Sequence, residues 1–128
     1  MPKQSKTNEQ LEFEIAFYER LIHEKPNFVD ALTALGAAYT RRGWHEKGLA
    51  VDQQLTQLKR EDPVVWYNLA CSLSLLKRFD EALEALQRAI ALGYDDFEFL
   101  AKDPDLHALR QSPQFRRFLE TRSSSASP

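Results

Sequence analysis

The stretch from Trp66 to Leu92 constrains this chain more than any other. Wound at about 100° per residue, its first half places Trp66, Leu69, Ala70, Leu73 and Leu76 on one stripe. After the polar break at Lys77-Arg78, Phe79, Ala82, Leu83, Leu86, Ala89 and Ile90 form another. Each half is an amphipathic helix, and apolar stripes this broad require burial against a neighbour. The few residues between them leave room only for a turn, so the two helices fold back as an antiparallel hairpin. A lone hairpin cannot cover both of its apolar faces and needs further copies of itself.

A second copy lies upstream. Leu35-Gly36 falls on Leu69-Ala70, Gly48 on Ala82 and Leu55 on Ala89, at a constant offset of 34 residues. A helical hairpin at that period resembles the tetratricopeptide repeat (TPR). Pro63 to Tyr94 carries Trp66, Leu69, Ala70, Ala82 and Ala89 at the pattern's Trp, Leu, small, Ala and Ala positions. Val29 to Asp62 is the weaker copy, with Leu32, Leu35, Gly36 and Tyr39 in place. There Asp52 stands where a large apolar residue is expected, and Gly48 replaces Ala at a cost of roughly 1 kcal/mol in helix propensity.

The N-terminal part is expected to be flexible over residues 1–7. Thr7 and Gln10 then form a capping box ahead of a stripe of Leu11, Ile15, Tyr18, Leu21 and Ile22. Pro26 closes this helix. Residues 8–26 resemble the second helix of a truncated repeat and serve to cap the solenoid. Repeat 1 spans 29–62, with Asn27 as cap, a helix from Phe28 to about Arg42, Gly43 at the corner and a second helix from about Trp44 to Lys59. Repeat 2 spans 63–96 and opens on Asp62-Pro63, a cap followed by proline at the first helical position. Lys77 stands at the equivalent of Gly43, so a different turn is expected there.

Beyond Gly93, Asp103-Pro104 and Ser112-Pro113 start two short helices, through Leu106 and Leu109 and through Phe115, Phe118 and Leu119. D-P-D-L-H-A-L-R-Q-S-P-Q-F resembles the terminating segment of many bacterial TPR proteins, so residues 97–122 are expected to cap the other end and the chain to be complete. The Ser-rich tail, 123–128, is expected to be disordered. The fold class is therefore all-α: a right-handed α-α superhelix of antiparallel hairpins, two full repeats plus capping helices at both ends.

Composition excludes several functions. A net charge of −2 supplies no field to attract nucleic acid or anionic lipid. One cysteine, Cys71, leaves no internal disulfide and no cysteine-based zinc site. The first residues lack the apolar run of a signal peptide, and no stretch approaches the ~20 apolar residues of a spanning helix, so a cytoplasmic setting without membrane contact is expected. Asp103, Asp105 and His107 suggest a metal cluster, but Asp103 reads better as a cap and Asp105 as a first-turn carboxylate. His23 and His45 have no acidic or cysteine partner at ligand spacing and read as surface residues. Cys71 is mid-helix with no local base to activate it. The 4 glycines stand apart and form no phosphate loop. No enzyme and no cofactor are expected. Arg110, Arg116, Arg117 and Arg122 are interspersed with acids and read as a solvated face.

What remains is the other side of each repeat's first helix. Val64, Tyr67, Asn68, Cys71, Ser74 and Leu75 match Asp30, Thr33, Ala34, Ala37, Thr40 and Arg41 of the preceding repeat. The TPR resemblance implies that these positions line a concave groove for a peptide or partner protein. The candidate partner-binding residues are Asp30, Thr33, Ala37, Arg41, Val64, Tyr67, Asn68, Cys71 and Leu75, with Tyr67 expected to be exposed as the principal anchor. A carboxylate clamp of the kind some TPR proteins use is incomplete: Asn68 matches, but Thr33, Ala37, Glu98 and Lys102 occupy the other positions. A non-catalytic adaptor or assembly factor is the leading expectation. The alternative is self-association into a weak homo-oligomer through the groove or the solenoid ends, with nucleic-acid contact through the C-terminal arginines third.

Overall fold

The structure, a computed structural model, describes residues 6–126. Among these residues every regular element is helical. The chain divides into two compact units, Met1–Arg60 and Glu61–Pro128.

The first unit holds α1 (Asn8–Glu24), α2 (Val29–Arg42) and α3 (His45–Leu58). The capping box forms as expected: Gln10 N donates to Thr7 Oγ1 at 3.1 Å, and Thr7 N donates to Gln10 Oε1 at 2.9 Å. Lys6 pairs with Glu14, so the flexible stretch expected over 1–7 is already anchored at its end; residues 1–5 lie outside the described residues. Leu11 and Ile15 bury one side of α1 against α2, while Tyr18, Leu21 and Ile22 are half-buried. Two polar ties cross the same seam, from the Tyr39 hydroxyl to Glu19 and from Arg42 to Glu12. Burial, and then the Glu19 hydrogen bond, push the Tyr39 phenol well above its ordinary pKa.

α2 and α3 form the first hairpin. Two glycines lie in the seam between them. A Cβ at Gly48 would sit 3.3 Å from Thr40 Oγ1, and one at Gly36 would meet both Asp52 Oδ1 and Val51 Cγ1 at 3.3 Å. The buried Asp52 is therefore housed partly in the space that Gly36 leaves open. Asn27 is not the α2 cap. Phe28 holds that position with no side-chain cap bond, and Asn27 instead accepts from Gln54 Nε2 on α3.

In the second unit α4 (Pro63–Leu75) and α5 (Phe79–Ala91) form the other hairpin. Asp62 caps α4 by accepting from Val64 N at 2.9 Å. Ala82, Leu86 and Ala89 are wholly buried on α5, against Leu69, Ala70 and Leu73 of α4. Trp66 is half-buried, with the Arg88 guanidinium 5.8 Å from its ring centroid. The corner at Lys77 is not a different turn. Lys77 takes a left-handed φ of 60°, as Gly43 takes 87°, and the hydrogen bonds match: Arg78 N to Leu73 O and Trp44 N to Tyr39 O, both 2.9 Å. The geometry of the hairpin outweighs the steric preference of a Cβ.

Beyond Gly93 the segment expected as two short helices is more finely divided. α6 (Phe97–Leu100) is followed by a 3-10 turn (Pro104–Leu106), α7 (His107–Arg110) and α8 (Pro113–Ala126). Asp96, Asp103 and Ser112 each accept a backbone N–H at the start of an element. α8 runs past Arg122 to Ala126, where a disordered tail was expected; residues 127–128 lie outside the described residues. Leu106 and Leu109 are fully buried, and the 3-10 turn and α7 both pack on α4.

Candidate partner-binding face

The candidate residues fall into two rows, one in each unit. On α2, Asp30, Thr33, Ala37 and Arg41 are all exposed, at the spacing of one helix face. Thr33 Oγ1 donates to Val29 O one turn back, which commits its hydroxyl to its own helix. Asp30 lies in the first turn of α2, where the helix dipole favours a carboxylate, and Arg41 lies in its last turn, where the dipole favours a cation. The row is small in the middle and charged at both ends.

On α4 the row is split. Val64 is 54% exposed, Asn68 is exposed and Leu75 is half-buried. Tyr67 and Cys71 are not on this surface. Tyr67 is 5% exposed, and its hydroxyl donates to Asp103 Oδ2 at 2.6 Å. Its ring stacks on Tyr94 with centroids 4.2 Å apart. Cys71 is also buried, with its thiol 3.7 Å from the same carboxylate oxygen. The expectation of an exposed tyrosine platform is thus corrected. The chain's own C-terminal segment covers that part of α4, because burying Leu106 and Leu109 there removes apolar area from water.

Asp103 joins these parts. Oδ1 caps the 3-10 turn by accepting from Asp105 N at 3.0 Å, and Oδ2 receives the Tyr67 hydroxyl. Burial foremost, then the Asp103 hydrogen bond, raise the Tyr67 phenol far above its usual range and keep it neutral. Burial likewise raises Tyr94. A neighbouring buried hydroxyl, Ser74 Oγ, accepts from Leu109 N at 3.2 Å. This polar cluster is a fastening between α4 and the segment that follows the hairpin. The Asp-Pro signal located Asp103 as a cap, but nothing near it in sequence marks its second oxygen as the acceptor for a tyrosine 36 residues away.

The other surfaces add little chemistry. Among the described residues no group of three or more His, Cys, Asp or Glu side chains is placed to hold a metal ion. His107 and His23 are exposed, and His45 is half-buried with its Nδ1 lacking a hydrogen-bond partner among the described residues. Arg110 is committed to the carbonyls of Leu100 and Asp103, at 2.9 and 2.7 Å. Arg116 and Arg117 are exposed, and the Arg122 side chain lies outside the described residues. Glu98 and Lys102, at the last two clamp positions, pair with each other at 3.8 Å. A cleft of about 920 Å³ opens between α5 and α8, lined by Leu83, Ile90 and Phe118 and edged by Asp80, Glu84 and Arg117. No described helix is long and apolar enough to cross a membrane.

Two helical hairpins, each turned at a left-handed corner and related by the same 34-residue offset, have the architecture of a helical-repeat protein. Comparison with known proteins agrees. The tetratricopeptide-repeat family model matches residues 63–92, which are α4, the Lys77 corner and α5, and the chain carries a tetratricopeptide repeat there. The chain is also similar to a chloroplastic protein of Arabidopsis thaliana, with 34% identity over 88 residues. That match covers 66% of this chain but 26% of the plant protein, so the chain spans about a quarter of that relative's length. Tetratricopeptide repeats generally mediate protein–protein interaction and are typically non-catalytic.

Proposed function

We propose that this chain is a non-catalytic protein-interaction module, an adaptor or assembly factor that takes a peptide or helix of a partner protein on the first-helix faces of its repeats. The observation that carries the reading is the set of side chains folding does not use. Asp30, Ala37 and Arg41 on α2, and Val64 and Asn68 on α4, stay exposed while the residues one step around each helix are buried. Asn68 can satisfy a ligand backbone group, Val64 offers apolar contact, and Arg41 offers a charge for a partner carboxylate. Tyr67 and Cys71 take part only as support beneath this surface.

The experiment is affinity capture with the Arg41→Ala/Asn68→Ala double variant. It should retain the wild-type circular dichroism and melting temperature yet bind its partner at least tenfold more weakly, about 1.4 kcal/mol. Equal affinity in wild type and variant would remove the first-helix faces from the proposal. The cytoplasmic setting belongs to the same proposal and is checked by cell fractionation; recovery with a plastid fraction would instead align the chain with its plant relative.

A further inference from the structure

The face of α1 turned away from α2 is exposed and has no counterpart in the reading above. Phe13 is 75% exposed and Phe17 is 53% exposed, one turn apart on the same face. Between them lies Ala16, also exposed and small enough to let another helix come close. Two exposed phenylalanines on one helix stripe are more than an idle surface carries.

The charges around the stripe indicate what covers it. Glu12, Glu14 and Glu19 are each engaged within the first unit, by Arg42, Lys6 and Tyr39. Glu9 and Arg20, which lie on the phenylalanine face itself, have no ion pair among the described residues. Glu9 precedes Phe13 by about one turn, and Arg20 follows Phe17 by about one turn. The pattern is self-complementary under one operation, a two-fold axis perpendicular to the helix. Antiparallel pairing with Phe13 opposite Phe17 of the second copy brings Glu9 within one residue, about 1.5 Å along the helix, of the position facing Arg20, twice. Parallel pairing would set Glu9 against Glu9, and an antiparallel shift of about one turn would set it against Glu24.

We propose that the outer face of α1 is a homodimer surface, on which two copies of this chain pair their α1 helices antiparallel through Phe13 and Phe17, with Glu9–Arg20 ion pairs at both ends. Such an interface is isologous and closed, so it yields dimers and not filaments. It uses none of the residues of the partner-binding rows, and the two proposals stand or fall separately.

Sedimentation velocity of the full chain across the micromolar range tests it. Wild type should show a concentration-dependent monomer–dimer equilibrium. Phe13→Glu, at an exposed position, should keep the wild-type melting temperature and weaken dimerisation by at least about tenfold. Glu9→Arg alone and Arg20→Glu alone should each weaken it, and an equimolar mixture of the two should restore a dimer, because each supplies the charge the other needs. The partner-face double variant Arg41→Ala/Asn68→Ala should dimerise as wild type does. A chain that stays monomeric throughout, a dimer indifferent to Phe13→Glu, or a charge-variant mixture that fails to associate would each overturn the proposal.

Discussion

A hydroxyl held 2.6 Å from a buried carboxylate oxygen is costly to unmake, which makes the Tyr67–Asp103 pair the most informative residue-scale test. Tyr67→Phe keeps the ring stacked on Tyr94 but leaves Asp103 Oδ2 without that donor, and should cost about 1–3 kcal/mol. The pair also sets a pH dependence. The folded phenol titrates above the ordinary value of 10.0 for tyrosine, so below that pH both folded and unfolded chains keep the proton and the contribution is complete. Above pH 10 the unfolded chain releases its proton while the folded one retains it, and stability falls as pH rises. Melting curves between neutral pH and the alkaline range should show this decline, and Tyr67→Phe should make it shallower, with the remainder due to the raised phenols of Tyr39 and Tyr94. Lys77 is the second test. Its left-handed φ of 60° strains a residue that carries a Cβ, so Lys77→Gly should raise stability by about 0.5–1 kcal/mol in chemical denaturation. A loss of stability would mean that the lysine side chain contributes more than its backbone costs.

Within an element, packing depends on small residues at the seams. Ala82 is fully buried where α5 meets α4, and Gly48 holds the matching position where α3 meets α2. Ala82→Leu adds volume to a seam with no space for it and should destabilise by about 1–3 kcal/mol in urea unfolding. The same change at Ala16, exposed on α1, should be close to neutral for folding, so equal losses at the two positions would sink the packing argument. The 34-residue offset has the same origin: Gly36 and Ala70, Gly48 and Ala82 sit where two helix backbones approach.

On the scale of the whole molecule, the segment after the second hairpin is part of the fold and not an appendage. It buries Leu106 and Leu109, seals Cys71 and Tyr67, and is braced by Arg110, which donates to two of its carbonyls. A chain ending at residue 96 should expose the α4 face. Its Cys71 should then react rapidly with a thiol reagent that barely labels the intact protein, and its melting temperature should fall. Unchanged labelling would show that something else covers Cys71.

The helices, their start signals and their repeat were legible in the sequence because each depends on residues within a turn or two of one another. Thr7 with Gln10, Asp62 with Pro63, and the apolar spacing of α4 and α5 all act locally. The family resemblance was legible for the same reason, since Trp66, Leu69, Ala70, Ala82 and Ala89 lie within one hairpin. Which face of α4 stays open was decided only by the tertiary structure. Periodicity shows that a face carries Tyr67, Cys71 and Ser74, but not whether water, a partner or the chain's own later segment will cover it. That outcome rests on contacts such as Tyr67 with Asp103, made across 36 residues and favoured by the burial of Leu106 and Leu109. Tyr67 and Cys71 are buried as a result, Leu75 is half-buried, and Val64, Asn68 and the α2 row of Asp30, Thr33, Ala37 and Arg41 are exposed. Phe13 and Phe17 stand one turn apart in the sequence as well, but their exposure followed only once Leu11 and Ile15 had committed the opposite side of α1 to the core.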